Sequence, residues 1–140
     1  MTYYTILRVV SKLLIPYVLL FALYVQFHGD YGPGGGFQAG VIFAAGFVLY
    51  GLIFGLTEVR RVAPARMIEL LIATGVLVYA GTGVVTMLLG GNFLEYGVLA
   101  PAHPSTGQHY GILVVELGVG MTVAAVMIAI YSTFAGRGRA

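Results

Sequence analysis

Apolar residues along this chain come in four long runs, near Ile6 to His28, Gly36 to Leu56, Met67 to Gly90 and Tyr110 to Phe134. Charge, proline and polar glycine-rich stretches collect between them. A helix rises about 1.5 Å per residue, so roughly 20 mainly apolar residues cross a hydrocarbon core of about 30 Å, and each run is long enough. Peptide groups find no water to bond in hydrocarbon, so the runs are expected to be helices. The pattern predicts an all-α integral membrane protein: one domain over residues 1–140 made of four transmembrane helices, with no length left for a soluble domain.

Composition agrees. Of 140 residues, 59% are hydrophobic and 9% charged, and the mean hydropathy of +0.95 excludes the surface of a soluble domain. Cysteine is absent, which rules out disulfides, thiolate metal sites, iron-sulfur ligation and cysteine nucleophiles. No HExxH and no nucleophile and base pair at depth are visible, so no catalytic residue, metal or cofactor is expected. Arg8 and Lys12 precede the first apolar core much as in a signal peptide, but no small-residue cleavage site follows, and the segment reads as a retained anchor.

The seven basic residues are one-sided. Arg8 and Lys12 lie near the start, Arg60, Arg61 and Arg66 in the middle connection, and Arg137 and Arg139 at the end. With four crossings these regions share a face, and the other two connections hold no Lys or Arg, so the positive-inside rule places both termini in the cytoplasm. The run His28 to Gly40, "HGDYGPGGGFQAG", then faces outward. A basic cytoplasmic rim is expected to anchor on lipid, with no role in nucleic-acid binding.

Small residues four apart allow close backbone approach in lipid: Gly36 with Gly40, Gly51 with Gly55, Gly107 with Gly111, and Gly120 with Ala124. The first helix has no glycine before Phe27, and its bulky surface suits lipid or a loosely packed neighbour. Pro16, taken as lying near one end of that helix, is expected to kink it at most. The second outer connection, Gly91 to Gly111, carries tyrosine, phenylalanine, histidine and proline and is expected either to cap the membrane surface or to serve as a linker.

A charge in a bilayer costs about 2.5–3.5 kcal/mol on insertion scales, so ionisable groups within the runs stand out. Glu69 lies near the cytoplasmic start of the third helix, where it can reach the interface or pair with Arg66. Glu116 lies roughly 9 Å beyond Tyr110 along the fourth helix, inside "GILVVELGVG"; it should face protein or water, as a hydrogen-bonding group or in a proton or cation path. His28 closes the first helix where the helix dipole favours a cation, and Asp30 adds to that preference. Gly34 to Gly36 open the second helix with bare N–H groups. Two readings stand for this hinge, a tight turn with a capping histidine or an ion site.

These residues resemble the MnhB/MrpB subunits of multisubunit Mrp-type Na+/H+ antiporters of bacterial and archaeal cell membranes. The hinge signature of that family is close to H-G-H-x-x-P-G-G-G-F-x-G-G, and His28, Gly29, Pro33, Gly34, Gly35, Gly36, Phe37 and Gly40 match it. Asp30 stands where a second histidine is common and Ala39 where a glycine is, which puts a two-histidine relay in doubt.

The resemblance implies a small accessory subunit of an assembly that exchanges sodium or another monovalent cation for protons, related to the membrane arm of respiratory complex I. Its partners would be large antiporter-like subunits, other small subunits and the lipid bilayer. His28, Asp30, Glu116 and Glu69 are the ion-pathway candidates; Gly29, Pro33, Gly34, Gly35, Gly36, Phe37 and Gly40 form the hinge, with Phe37 expected to plug into a neighbour. Without Lys or Arg at mid-span the chain is not expected to pump alone. The alternatives are the equivalent subunit of a membrane-bound hydrogenase or related complex, a purely structural assembly subunit, and a small self-contained carrier.

Overall fold

The computed structural model describes residues 2–137; Arg139 of the basic rim lies outside the described residues. Among the described residues there are five α-helices, α1 (Thr2–His28), α2 (Gly36–Phe54), α3 (Leu56–Val62), α4 (Ala65–Leu88) and α5 (Pro104–Gly136), with a one-turn 3-10 helix at Tyr96–Leu99. All but α3 are long and apolar enough to cross a membrane.

Three boundaries differ from the hydropathy pattern, each for a local reason. α2 stops at Gly55, whose φ of 97° no helix continues; its N–H still donates to the Gly51 carbonyl at 2.9 Å. The chain then turns into α3, with Glu58 in its first turn and Arg60 and Arg61 in its last, the charge order the helix dipole favours. Pro64 separates α3 from α4. α5 begins six residues before Tyr110 because Pro104 sits in its first turn, where a missing N–H costs nothing and the fixed φ is already helical. α1 runs unbroken through Pro16, which lies near its middle and not near an end.

The spatial order is α1, α2, α5, α4. α5 is the central helix, packed along α2 on one side and α4 on the other, while α1 leans on α2 and meets α5 only weakly. Apolar side chains gain little from leaving lipid for protein, so close backbone approach has to hold such helices together. The interfaces show it. A Cβ built on Gly40 would lie 2.8 Å from the Gly120 carbonyl oxygen, and one on Gly118 would lie 2.8 Å from that of Gly75. α1 contributes Ser11, Ala22, Val25 and Gln26 to the interior and exposes most of its bulky residues, as its composition predicts.

The apolar core sits at the basic end. Val59 and Ala63 of the α3 segment pack with Ala44, Ile68, Ala125 and Ile128, ringed by Phe47, Tyr50, Leu71, Ile72 and Tyr131. Arg60 donates to the Ser132 carbonyl at 3.4 Å, tying α3 to the end of α5.

The connection from α4 to α5 is ordered by its own contacts. Buried Thr86 accepts from the Leu94 N–H at 3.0 Å, and its hydroxyl lies within donating distance of the Gly83 and Asn92 carbonyls at 2.8 and 3.0 Å. Phe93 seats on Gly83 and the Tyr96 side chain on Gly111, while Gly107 lies against the Tyr96 carbonyl and Ala100. The Gly107–Gly111 pair therefore receives the 3-10 turn of this connection and not another membrane-length helix. Gly55 likewise ends a helix, and a Cβ there would meet nothing within 4 Å.

Candidate functional site

α1 ends at His28, whose carbonyl accepts from the N–H groups of Tyr31 and Gly32 at 3.0 and 3.2 Å, making a compact turn. The chain then doubles back: the Gly35 N–H donates to the Val25 carbonyl at 3.2 Å, and α2 starts at Gly36. Side chains would block this path. A Cβ on Gly34 would lie 2.9 Å from the Val25 oxygen, and one on Gly36 would collide with the Glu116 carbonyl. The glycine run thus lets the hinge lie directly on α5.

His109 and Glu116, seven residues apart, share one face of α5 about two turns from each other. That face looks at the hinge. Asp30 forms an ion pair through Oδ2 with Nδ1 of His109; its side chain is 17% exposed and that of His109 43%. Deeper along α5, the Glu116 carboxylate fills the space under the turn, since a Cβ on Gly29 would meet its oxygens at 2.6 and 2.8 Å and one on Gly35 would meet Oε1 at 3.0 Å. Gln26, also buried, points at Gly120 one helical turn further in.

Asp30 therefore turns to His109 and not to His28. The His28 ring stacks on Tyr24, centroids 5.2 Å apart, and faces Tyr31 at 6.4 Å. Glu69 belongs elsewhere: it is exposed at the basic end, in a cleft of about 480 Å³ with Arg60, Pro64, Ile68, Ser132 and Thr133. Among the described residues it makes no ion pair with Arg66. Pro33 and Phe37 are exposed, Phe37 by 61%, so Phe37 plugs into no part of this chain.

The structure thus brings Asp30, Glu116 and the hinge glycines together, leaves His28 beside them on an aromatic stack, and puts Glu69 at the opposite end. It adds His109, which hydropathy alone assigns to a loop. The signal that finds it is Pro104 opening a helix, after which the seven-residue spacing to Glu116 puts both on one face. Among the described residues no three His, Asp or Glu side chains gather as a metal-ion site.

A family model described as a domain related to MnhB subunit of Na+/H+ antiporter matches residues 6–129. The chain belongs to the MnhB family. Among similar proteins are the "Putative antiporter subunit mnhB2" of Staphylococcus haemolyticus (strain JCSC1435) and that of Staphylococcus aureus (strain Newman). Each is 34% identical over 133 residues, covering 94% of this chain and 94% of the relative. The match to MnhB covers the hinge and reaches into all four membrane-length helices, so the contacts among Asp30, His109, Glu116 and the hinge glycines lie within the matched region.

Proposed function

We propose that this chain works as one four-helix unit, a small subunit of a multisubunit Na+/H+ antiporter in a prokaryotic cell membrane, with its hinge end lining an outer-side route for protons or cations at a subunit boundary. The family match supports the subunit reading. The observation that carries the route is the placement of Glu116 beneath Gly29 and Gly35, with the Asp30–His109 pair above it. Asp30 and His109 form the outer step, where an imidazole and a carboxylate in contact can pass a proton between them. Glu116 is the deeper acceptor, two turns along the same helix. His28 borders the route on its aromatic side. Proton exchange suits this set better than a resident cation, because one of the two acidic groups is already paired and, among the described residues, no three His, Asp or Glu side chains gather as a metal-ion site.

With the basic residues in the cytoplasm, the hinge opens outward, and the cleft around Glu69 lies on the inner side as a second access point. A neighbouring subunit has to complete the path, since this chain offers no ionisable residue between Glu116 and the basic end on α5. Exposed Pro33 and Phe37 mark where such a neighbour meets the hinge.

A second reading has its own support: Gly36 and Gly40 lie so close to α5 that the hinge can be a packing device alone. Two variants separate the readings. The native complex is purified under mild detergent from cells carrying Asp30→Asn or His109→Asn, its subunits are identified, and cation-driven proton movement is followed in vesicles. Intact assembly with impaired exchange supports the route. Intact assembly with normal exchange in both leaves only the scaffold, and loss of partner subunits in either variant favours a role in assembly.

A further inference from the structure

An open groove of about 230 Å³ runs between α1, α2 and α3 near the basic end. Ile15 and Leu19 form one wall, Gly46, Phe47 and Tyr50 the other, and Val62 the floor. One turn beyond Tyr50 lies Phe54, their rings 4.9 Å apart. Two cations share that second ring: Arg8 Cζ is 5.9 Å and Lys12 Nζ 5.6 Å from its centroid. Four residues apart on α1, they occupy one helix face. Neither has a carboxylate partner among the described residues, where Asp30–His109 is the one ion pair, and Glu58 of nearby α3 does not engage them.

We propose that this groove and its two cations form a binding site for one anionic phospholipid, an acyl chain lying between α1 and α2 and the phosphate held by Arg8 and Lys12. Charge favours a lipid over a protein helix, since an apolar groove beside two cations with no carboxylate partner among the described residues suits one molecule that carries both an acyl chain and a phosphate. The acyl chain adds little selectivity because surrounding lipid is equally apolar. Discrimination therefore rests on the headgroup, where each Lys or Arg near an anionic surface contributes roughly fivefold, and two give up to about 25-fold. Phe54 holds the two like charges side by side through its ring face before any lipid arrives.

The chain contains no tryptophan, so Phe47→Trp places a single reporter on the groove wall. The full chain carrying it is reconstituted in vesicles of dibrominated phosphatidylglycerol or dibrominated phosphatidylcholine mixed with unbrominated lipid, and quenching gives the relative affinity of the two. A tenfold or greater preference for phosphatidylglycerol is expected, falling to near one in R8Q/K12Q. Gly46→Ile, which fills the groove, should weaken quenching by both lipids. Equal affinity for the two lipids, or a preference that survives R8Q/K12Q, overturns the site. So does loss of quenching when the reporter sits in the assembled native complex, which would show a partner helix on the groove. Native mass spectrometry of unsubstituted chain and R8Q/K12Q, counting retained phosphatidylglycerol, makes the same comparison without the reporter; equal retention by both also overturns the proposal.

Discussion

Replacing Gly36 by alanine tests whether backbone contact between α2 and α5 sets the position of the hinge. The new methyl group lands on the Glu116 carbonyl oxygen, with the carbonyl carbon at 2.9 Å and Cα at 3.1 Å. Carbon atoms prefer about 3.5–4.0 Å, so the two helices have to part by roughly 0.5–1 Å, and a gap of that size forfeits a quarter to a half of each neighbouring dispersion contact. Backbone atoms of α5 cannot swing aside as a side chain would. The overpacking cost is about 1–3 kcal/mol. Gly81 in the middle of α4 is the control, since a Cβ there meets nothing within 4 Å. At that position alanine should stabilise by about 0.5–1 kcal/mol through helix propensity alone. The two substitutions are thus expected to shift stability in opposite directions, by about 1.5–4 kcal/mol in total. Unfolding of the purified chain in mixed micelles of increasing SDS, followed by far-ultraviolet circular dichroism, measures both. A Gly36→Ala chain as stable as the unsubstituted one would refute the close contact from which the hinge geometry is built.

Thr86→Val keeps shape but strips the hydroxyl that bonds Leu94, so it should cost about 1–3 kcal/mol and speed amide hydrogen exchange across residues 92–95. Burial pushes the Tyr96 phenol above its ordinary value of 10.0, with the Tyr79 phenol adding to the shift. Because the folded state holds that proton more tightly than the unfolded chain, stability is full below pH 10 and falls as the pH rises past it. Tyr96→Phe should flatten this alkaline loss and remove from an absorbance titration one phenol that ionises above the ordinary value; an unchanged titration would contradict it. Since the chain has no cysteine, a single Tyr31→Cys at the exposed hinge should react with an impermeant maleimide from outside intact cells, and reaction only after lysis would reverse the proposed orientation.

Much of this fold was legible because a bilayer imposes length: four runs near 20 apolar residues leave few alternatives to four helices. The helix ends were not, because hydropathy does not register backbone geometry. Gly55 reads as one more small residue in an apolar run until its φ of 97° separates α2 from α3. α3 itself, with three charges in seven residues, looks like a connection, yet it supplies Val59 to the core. At the site, Glu116 stood out as a charge at depth and the glycines as a hinge, but no pattern in the sequence shows that one lies under the other. The Asp30 partner was misread for a related reason. His28 is two residues away in sequence, whereas His109 is close only because Pro104 starts α5 early and the glycine run lays the turn on that helix.

Glu116→Gln in the complete complex bears most directly on the claim that this hinge end handles protons. The substitution keeps the size and hydrogen-bonding capacity of the side chain beneath Gly29 and Gly35 while removing its ability to exchange a proton. Everted vesicles are energised, sodium is added, and the recovery of a pH-sensitive dye is compared at equal amounts of assembled complex. Exchange slowed at least tenfold with all subunits present is the expected result; exchange at the unsubstituted rate would contradict it.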